Sequence, residues 1–423
     1  MKIKTDFLLP ALVLFSSNSY AFDWLFEPDF SFKEKYDDNL RLQANPNRTN
    51  LISTLSPGLM LGYLAENQEL KTNLKWNELI YHGESSLDFS EKLANIGHQY
   101  RGELFKTALT AGYSEQSTLS TQLDEFGSGN LRTQVAQSTK SISPSFTYYL
   151  SEKNSLQLGY GYMDVKFDKP PGIASNSSLS DYSNQQFSVS ATHAYTERLS
   201  FNVTGSYSEF ESSSNFQGTF IIFPVTTTFS QKSTNLNYQA GLQYAFSEQT
   251  QLSLSAGIRN TETQTTQITK LSDSGAIINS SNPPPRTTSG HIFSAALTRK
   301  SEWGDINFSA GQQLNPASSG TQQTSTTFSA SANYNLSERW STGINAGYLL
   351  AESVSTFDNT NVSNNRTYAS VSPNIRWRWT PDINLEFSYS YRQQKFESTD
   401  QTAVGNSVQL QFSYQPQINR QVK

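Results

Sequence analysis

The sequence predicts an all-β fold, a transmembrane antiparallel up-and-down β-barrel. Three observations lead to this prediction: segments in which apolar and polar residues alternate, a recurrent tight turn, and a long polar segment between successive turns. This combination is typical of barrels whose strands face lipid on one side and an aqueous lumen on the other. Helical spacing of apolar residues does not compete with the alternation in any long window.

The alternation has a period of two residues. It is clearest in the segments 156–162, 201–207, 236–246, 383–391 and 408–414. In 383–391, for example, aliphatic and aromatic side chains occupy the odd positions, whereas Asn, Glu and Ser occupy the even ones. Because successive side chains of a strand point to opposite faces, each segment predicts a strand with one apolar and one polar face.

Tight polar turns connect these strands in pairs. They begin near Ser151, Thr196, Ser247, Ser337 and Thr380, with a variant at 302–305, an earlier turn at 65–68 and another near Phe105. Longer polar segments lie between the turns, for example 115–138, 166–183, 211–231 and 263–289. Outer-membrane barrels have short periplasmic turns and long external loops. The pattern predicts 18 strands, with 16 as the alternative count.

The composition fits such a barrel. Only 35% of the residues are hydrophobic, yet 13% are aromatic, with 26 Phe and 21 Tyr. A disordered polar chain would lack these aromatic residues, whereas a barrel places them at the membrane interfaces. The net charge of −5 argues against a nucleic-acid partner. The chain has no Cys and four scattered His, so we expect neither a metal site nor a cofactor.

The N-terminus predicts a cleaved signal peptide at 1–21, followed by one barrel domain at 22–423. Lys2 and Lys4 precede an apolar run from Phe7 to Phe15, and the small residues Ser19 and Ala21 flank Tyr20. This order of basic, apolar and small residues is that of a secretory signal. The run is too short to cross a bilayer as a helix. The predicted location is therefore the outer membrane.

Residue parity predicts which side chains line the lumen. Arg and Lys on a lipid-facing surface cost about 2–4 kcal/mol at the midplane, so the cations of the first, third, sixteenth and seventeenth strands should face inward. The first and last strands are neighbours in a closed barrel, which brings these cations onto one side of the wall. This basic stripe comprises Lys33, Lys35, Arg41, Lys71, Lys75, Arg376, Arg378 and Arg392, opposed by Asp37 and Glu386. It would attract an anionic solute or polysaccharide; the alternative is that these cations only pair with carboxylates.

Two further features concern the ends of the barrel. The apolar segment 220–225 lies within a polar region, and Phe220, Ile221, Ile222 and Phe223 are a candidate constriction of the lumen. The segment could equally pack over the barrel mouth or extend a strand beyond the membrane. Trp303, Trp340, Trp377 and Trp379 lie beside predicted tight turns, which places them in a periplasmic aromatic girdle.

The segment that follows the predicted signal peptide resembles a known family. The chain reads FDWLFEPDFSFKEKYDDNLRLQ from Phe22 and LISTLSPGLMLGY from Leu51. The YDDNL strand and the following SPG strand resemble the opening of outer-membrane barrels associated with PEP-CTERM/exosortase and exopolysaccharide loci. The resemblance covers about forty residues. It implies a role in export or surface display of an extracellular polysaccharide, and it implies no catalytic residue.

Three functions are compatible with this sequence. The first is a porin-like channel, or an accessory for export of an extracellular polysaccharide, because barrels of 16 or more strands have an open lumen. The second is a non-conducting surface, adhesive or structural barrel. The third, an enzyme, lacks a G-x-S-x-G motif and has no His near a suitable Ser or Asp, so we expect no enzymatic activity. The expected partners are outer-membrane lipid, the barrel assembly machinery, and anionic polysaccharide or small solutes.

Overall fold

The computed structural model describes residues 23–46, 48–122, 134–168, 179–220, 223–353, 365–397 and 400–416. The predicted signal peptide and the C-terminal tail 417–423 lie outside them. The strands are β1 (Asp23–Asp37), β2 (Asn50–Leu64), β3 (Gln68–His82), β4 (Phe89–Arg101), β5 (Phe105–Ser117), β6 (Ala136–Tyr149), β7 (Asn154–Asp168), β8 (Asp181–Ala194), β9 (Leu199–Phe220), β10 (Phe223–Ser247), β11 (Thr250–Leu271), β12 (Ile277–Ser281), β13 (Arg286–Ser301), β14 (Gly304–Pro316), β15 (Gln322–Asn335), β16 (Trp340–Ser353), β17 (Arg366–Arg378), β18 (Ile383–Phe396) and β19 (Thr402–Tyr414). A 3₁₀ turn (Ser85–Leu87) and a short helix α1 (Thr118–Thr121) accompany them. No helix of the described residues is long and apolar enough to cross a bilayer.

The strands close into one antiparallel barrel. Each wall strand pairs with its neighbours in the chain, and β1 pairs with both β2 and β19. The short β12 pairs with the upper part of β11, beyond the stretch that β13 covers, so it lies outside the wall. The described residues thus form an 18-stranded wall, which confirms the predicted fold class and the higher strand count.

The tight turns lie where the sequence predicts them, and a hydroxyl group explains their Ser and Thr residues. The Ser151 hydroxyl accepts hydrogen bonds from the backbone N–H groups of Lys153 and Asn154, at 3.3 and 3.1 Å. Thr196, Ser247 and Ser337 accept the equivalent bonds in their own turns. Such bonds supply partners for N–H groups that the sheet leaves free.

The outer face of the wall is apolar and exposed. Val203 is 63% exposed, Ile258 54% and Leu410 54%, although each lies within a paired strand. Exposed apolar side chains in this number indicate a surface that lipid covers. At the end of the barrel with the tight turns, the rings of Trp340 and Trp377 stack with centroids 5.7 Å apart. This is the place at which the sequence predicts an aromatic girdle.

Three neighbouring strands are longer than the others and extend beyond the membrane. β9, β10 and β11 have 22, 25 and 22 residues. The segments 211–231 and 263–289 are therefore mostly strand, and the prediction that they are long loops was wrong. Their Ser, Thr and Gln residues show no apolar alternation because no lipid faces them, yet the backbone ladder continues up to the pair Phe220–Phe223.

The candidate functional site in the lumen

The inner face of the wall becomes apolar at the external end of the barrel. Val165 on β7, Phe210 on β9 and Leu349 on β16 point inward and are at most 1% exposed. On β7 the flanking residues Asp164 and Lys166 point outward, where their side chains lie 3.5 Å apart. Above the membrane, apolar side chains therefore point into the barrel and charged side chains point outward.

The loop between β1 and β2 folds into this apolar mouth. Leu40 packs in a buried cluster with residues of β2, β3 and the short helices: Ile52, Leu79, Tyr81, Leu87 and Leu119. Leu42 packs in a second cluster on the opposite side, with Leu349, Ala351, Tyr368 and Ala403. The carboxylate of Asp38 also accepts hydrogen bonds from the backbone and side chain of Asn406. The loop therefore lies across the inner surface and is fixed at both sides.

A second loop, between β14 and β15, also turns inward. The carbonyl oxygen of Ser318 accepts a hydrogen bond from Ser180 N–H (2.7 Å), and that of Gly320 accepts one from the Ser212 hydroxyl (2.5 Å). Gly320 has φ +79°, and a Cβ there would lie 2.6 Å from Cβ of Ser180. Glycine is therefore needed both for the turn and for the close approach.

Below these loops the inner wall is in contact with solvent. Ser143, Gln157, Gln186 and Gln243 point inward and are exposed. The inner faces of β6–β10 carry Ser, Thr, Asn, Gln and Gly at the level of the membrane, and no charged side chain of these strands points inward. We call this surface the uncharged lane. Its side chains bond across strands, as Thr204 does to Ser190 (2.8 Å).

The opposite side of the wall contains the residues of the predicted basic stripe. We call the inner faces of β17–β19 and β1–β4 the charged sector. Arg376 donates two hydrogen bonds to Glu386 on the next strand, the shorter at 2.6 Å. Lys71 pairs with Glu69, and Arg41 of the β1–β2 loop pairs with Glu84 at 3.4 Å. The predicted stripe is therefore interrupted by more carboxylates than Asp37 and Glu386.

The stripe residues come closest together around Asp37, which is fully buried. Its carboxylate lies 2.9 Å from Lys35 Nζ and 2.7 Å from Arg392 Nη2. Lys33 lies within electrostatic range of Lys35, Lys75 and Glu91. Arg378, the remaining residue of the basic stripe, has no carboxylate of the described residues within ion-pair distance.

The candidate constriction lies elsewhere. The backbones of Phe220 and Phe223 pair at the end of the β9–β10 hairpin, while Ile221 and Ile222 lie outside the described residues. The described part of this segment is thus a strand extended beyond the membrane, one of the alternatives that the sequence leaves open.

The inward-folded loops were not predicted, although one signal for them is present in the sequence. Apolar residues of β7 occupy even positions up to Tyr162, but odd positions from Met163 through Val165 to Phe167. This change of parity marks the level at which the inner face becomes apolar. Leu349 and Ala351 follow Tyr348 in the same way on β16.

A closed wall with an exposed apolar outer face, an aromatic girdle and a polar inner face defines a transmembrane β-barrel of the outer-membrane type. Within the described residues, no group of three or more His, Cys, Asp or Glu side chains could hold a metal ion.

The known proteins that resemble this chain are solved structures of low sequence identity. No family model and no curated protein matches the chain. Among solved structures, the ferric-catecholate import receptor Fiu of E. coli K12 matches 93% of this chain and 82% of its own, at 10% identity and TM-score 0.49. The ferric yersiniabactin uptake receptor FyuA of Yersinia pestis matches 90% of this chain and 62% of its own, at 10% identity and TM-score 0.47. The outer membrane protein OpdK of Pseudomonas aeruginosa matches 93% and 99%, at 8% identity and TM-score 0.41.

Proposed function

We propose that this barrel is a porin-like pore that passes hydroxyl-rich solutes across the outer membrane, and that it serves export of an extracellular polysaccharide. The observation that carries the proposal is the uncharged lane. Hydroxyl and amide groups can exchange hydrogen bonds with sugar hydroxyls without holding them as strongly as charged groups would. A solute must leave a pore as well as enter it, so weak and repeated sites favour passage.

The role in polysaccharide export is supported by the resemblance of the YDDNL and SPG strands to barrels associated with exopolysaccharide loci. In this role the chain is directed by a cleaved signal peptide, inserted by the barrel assembly machinery and surrounded by outer-membrane lipid. The proposal assigns it no catalytic activity.

Swelling of liposomes with neutral sugars of graded size tests the pore. We expect the wild-type barrel to admit small sugars. Ser188→Trp, which places a large ring in the uncharged lane, should reduce the rate and the size limit. Val189→Trp is the matched control, because the neighbouring Val189 points outward and is 50% exposed. Absence of sugar passage in a folded wild-type barrel would refute the pore.

Deletion of the gene tests the export role. We expect the polymer to be lost from the cell surface and retained in the periplasm. A deletion strain with normal surface polymer would contradict export and leave the pore itself unaffected.

A second function has its own supporting observation. The β1–β2 and β14–β15 loops pack into the external mouth, as they would in a non-conducting surface or adhesive barrel. Impermeability of the wild type would favour this alternative, particularly if removal of a loop opened the pore.

A further inference from the structure

The charged sector contains a cavity directly below the β1–β2 loop. Its volume is about 440 Å³, within the roughly 300–1,000 Å³ of small-molecule sites. Tyr368, which packs against Leu42 of the loop, forms part of its lining. The other lining residues are Tyr389, the cations Lys35 and Arg392, and six with short hydroxyl or amide side chains: Ser370, Ser372, Ser388, Ser390, Ser407 and Gln409.

The charges around this cavity are not balanced. Lys35 and Arg392 share the single carboxylate of Asp37. That carboxylate also accepts a hydrogen bond from the backbone N–H of Asn39, at 3.1 Å. Lys33, two residues before Lys35 on β1, is not part of the lining and has Glu91 within electrostatic range. The cavity therefore has an excess of positive charge.

The guanidinium of Arg392 is also incompletely satisfied. Arg392 is only 8% exposed, and its Nε atom is buried without a hydrogen-bond partner among the described residues. Buried charged donors are stabilised by nearby anions, and the field of an uncompensated cation extends into the cavity. An anion in the cavity would supply the charge that protein groups do not.

The neutral lining selects among anions. Five serine hydroxyls and one amide surround the cations, and two of the hydroxyls, those of Ser372 and Ser390, already lie 2.9 Å apart. Hydroxyl groups both donate and accept hydrogen bonds. They suit a ligand that carries several hydroxyls beside its negative charge.

From these contacts we infer that the cavity is a binding subsite for a carboxylated sugar, such as one uronate unit of an acidic polysaccharide. The carboxylate binds beside Lys35 and Arg392, and the sugar hydroxyls bind the serines. This inference rests on the proposed function, since the ligand reaches the cavity through the lumen. The barrel is then a pore in which one charged binding subsite lies beside the uncharged lane.

Calorimetric titration of the detergent-solubilised barrel with D-glucuronate, D-glucose and acetate tests the subsite without requiring passage. We expect glucuronate to bind more tightly than either of the other two, because only it combines charge and hydroxyls. Lys35→Gln should weaken glucuronate binding about tenfold, the effect of losing one charge-assisted hydrogen bond. Lys300→Gln is the control, since Lys300 is an exposed cation on the inner face of β13, across the lumen.

The serines have their own test. Ser372→Ala combined with Ser390→Ala should weaken glucuronate binding and leave acetate binding unchanged. Equal losses for Lys35→Gln and Lys300→Gln would overturn the subsite in favour of general luminal charge. Equal affinity for glucuronate and acetate would overturn the role of the hydroxyls.

Failure of the subsite and failure of the pore give different results. Passage of glucose through liposomes without glucuronate binding refutes the subsite and leaves the pore. Glucuronate binding that depends on Lys35, in a barrel that passes no sugar, refutes the pore and supports the subsite.

Discussion

The charged sector and the uncharged lane are two sides of one lumen, built from the same alternating strands. In the charged sector, cations and carboxylates from different strands form ion pairs, and the buried Asp37 anchors the end of β1 where the inward-folded loop begins. In the uncharged lane, short polar side chains bond to each other and leave the wall exposed to solvent. Charge therefore has a structural use on one side, while the other side remains open for solutes.

The largest expected effect concerns the anchor. Asp37→Asn leaves Arg392 buried without its carboxylate, and breaking a buried ion pair costs about 3–5 kcal/mol. We expect the β1–β2 loop to be released while the wall stays closed. Limited proteolysis with trypsin measures this, because Arg41 and Arg48 lie in the loop. Wild-type cleavage rates in the variant would show that the ion pair does not hold the loop.

The next effect tests the assignment of the two faces. Val203 points to lipid and Thr204 to the uncharged lane, although they are adjacent on β9. Val203→Lys should lower the free energy of unfolding by about 2–4 kcal/mol, the cost of Lys near the bilayer midplane. Thr204→Lys should leave stability nearly unchanged and shift the pore toward anion selectivity. Urea unfolding in lipid vesicles and the reversal potential of the open pore measure the two effects; the opposite ranking would mean that the faces are exchanged.

The smallest effect comes from the exposed ion pair of the charged sector. Arg376 and Glu386 have side chains 56% and 23% exposed, so water and salt screen their attraction. Glu386→Gln should change the free energy of unfolding by about 0–1 kcal/mol. Urea titration at low and high salt checks this value. A loss as large as that of Asp37→Asn would mean that burial does not distinguish the two pairs.

Most strands and turns of the wall were predictable because they depend on residues that are close together in the sequence. Alternation requires only that one face meets lipid and the other water, and the turns require only a Ser or Thr hydroxyl close to free N–H groups. The strand count follows from these two signals. The prediction failed at 211–231 and 263–289, because strands that project beyond the membrane form the same backbone ladder without an apolar face.

The candidate site was predictable in part. Parity placed Lys35 and Arg392 on the inner face, and barrel closure placed β1 beside the last strands. Parity also places Glu69 on the same face as Lys71. Neither rule indicates that Glu84 pairs with Arg41, because that contact depends on the path of a loop.

By itself the sequence determined the strands at the level of the membrane, their tight turns and the side of the wall on which their residues lie. Only the tertiary structure decided which loops enter the lumen and which charges meet there. Asp37 and Arg392 are separated by 355 positions in the chain, and closure of the barrel alone brings them into contact. The physical reason is that a strand's two faces depend on its own alternation, whereas a buried ion pair depends on which distant strands become neighbours.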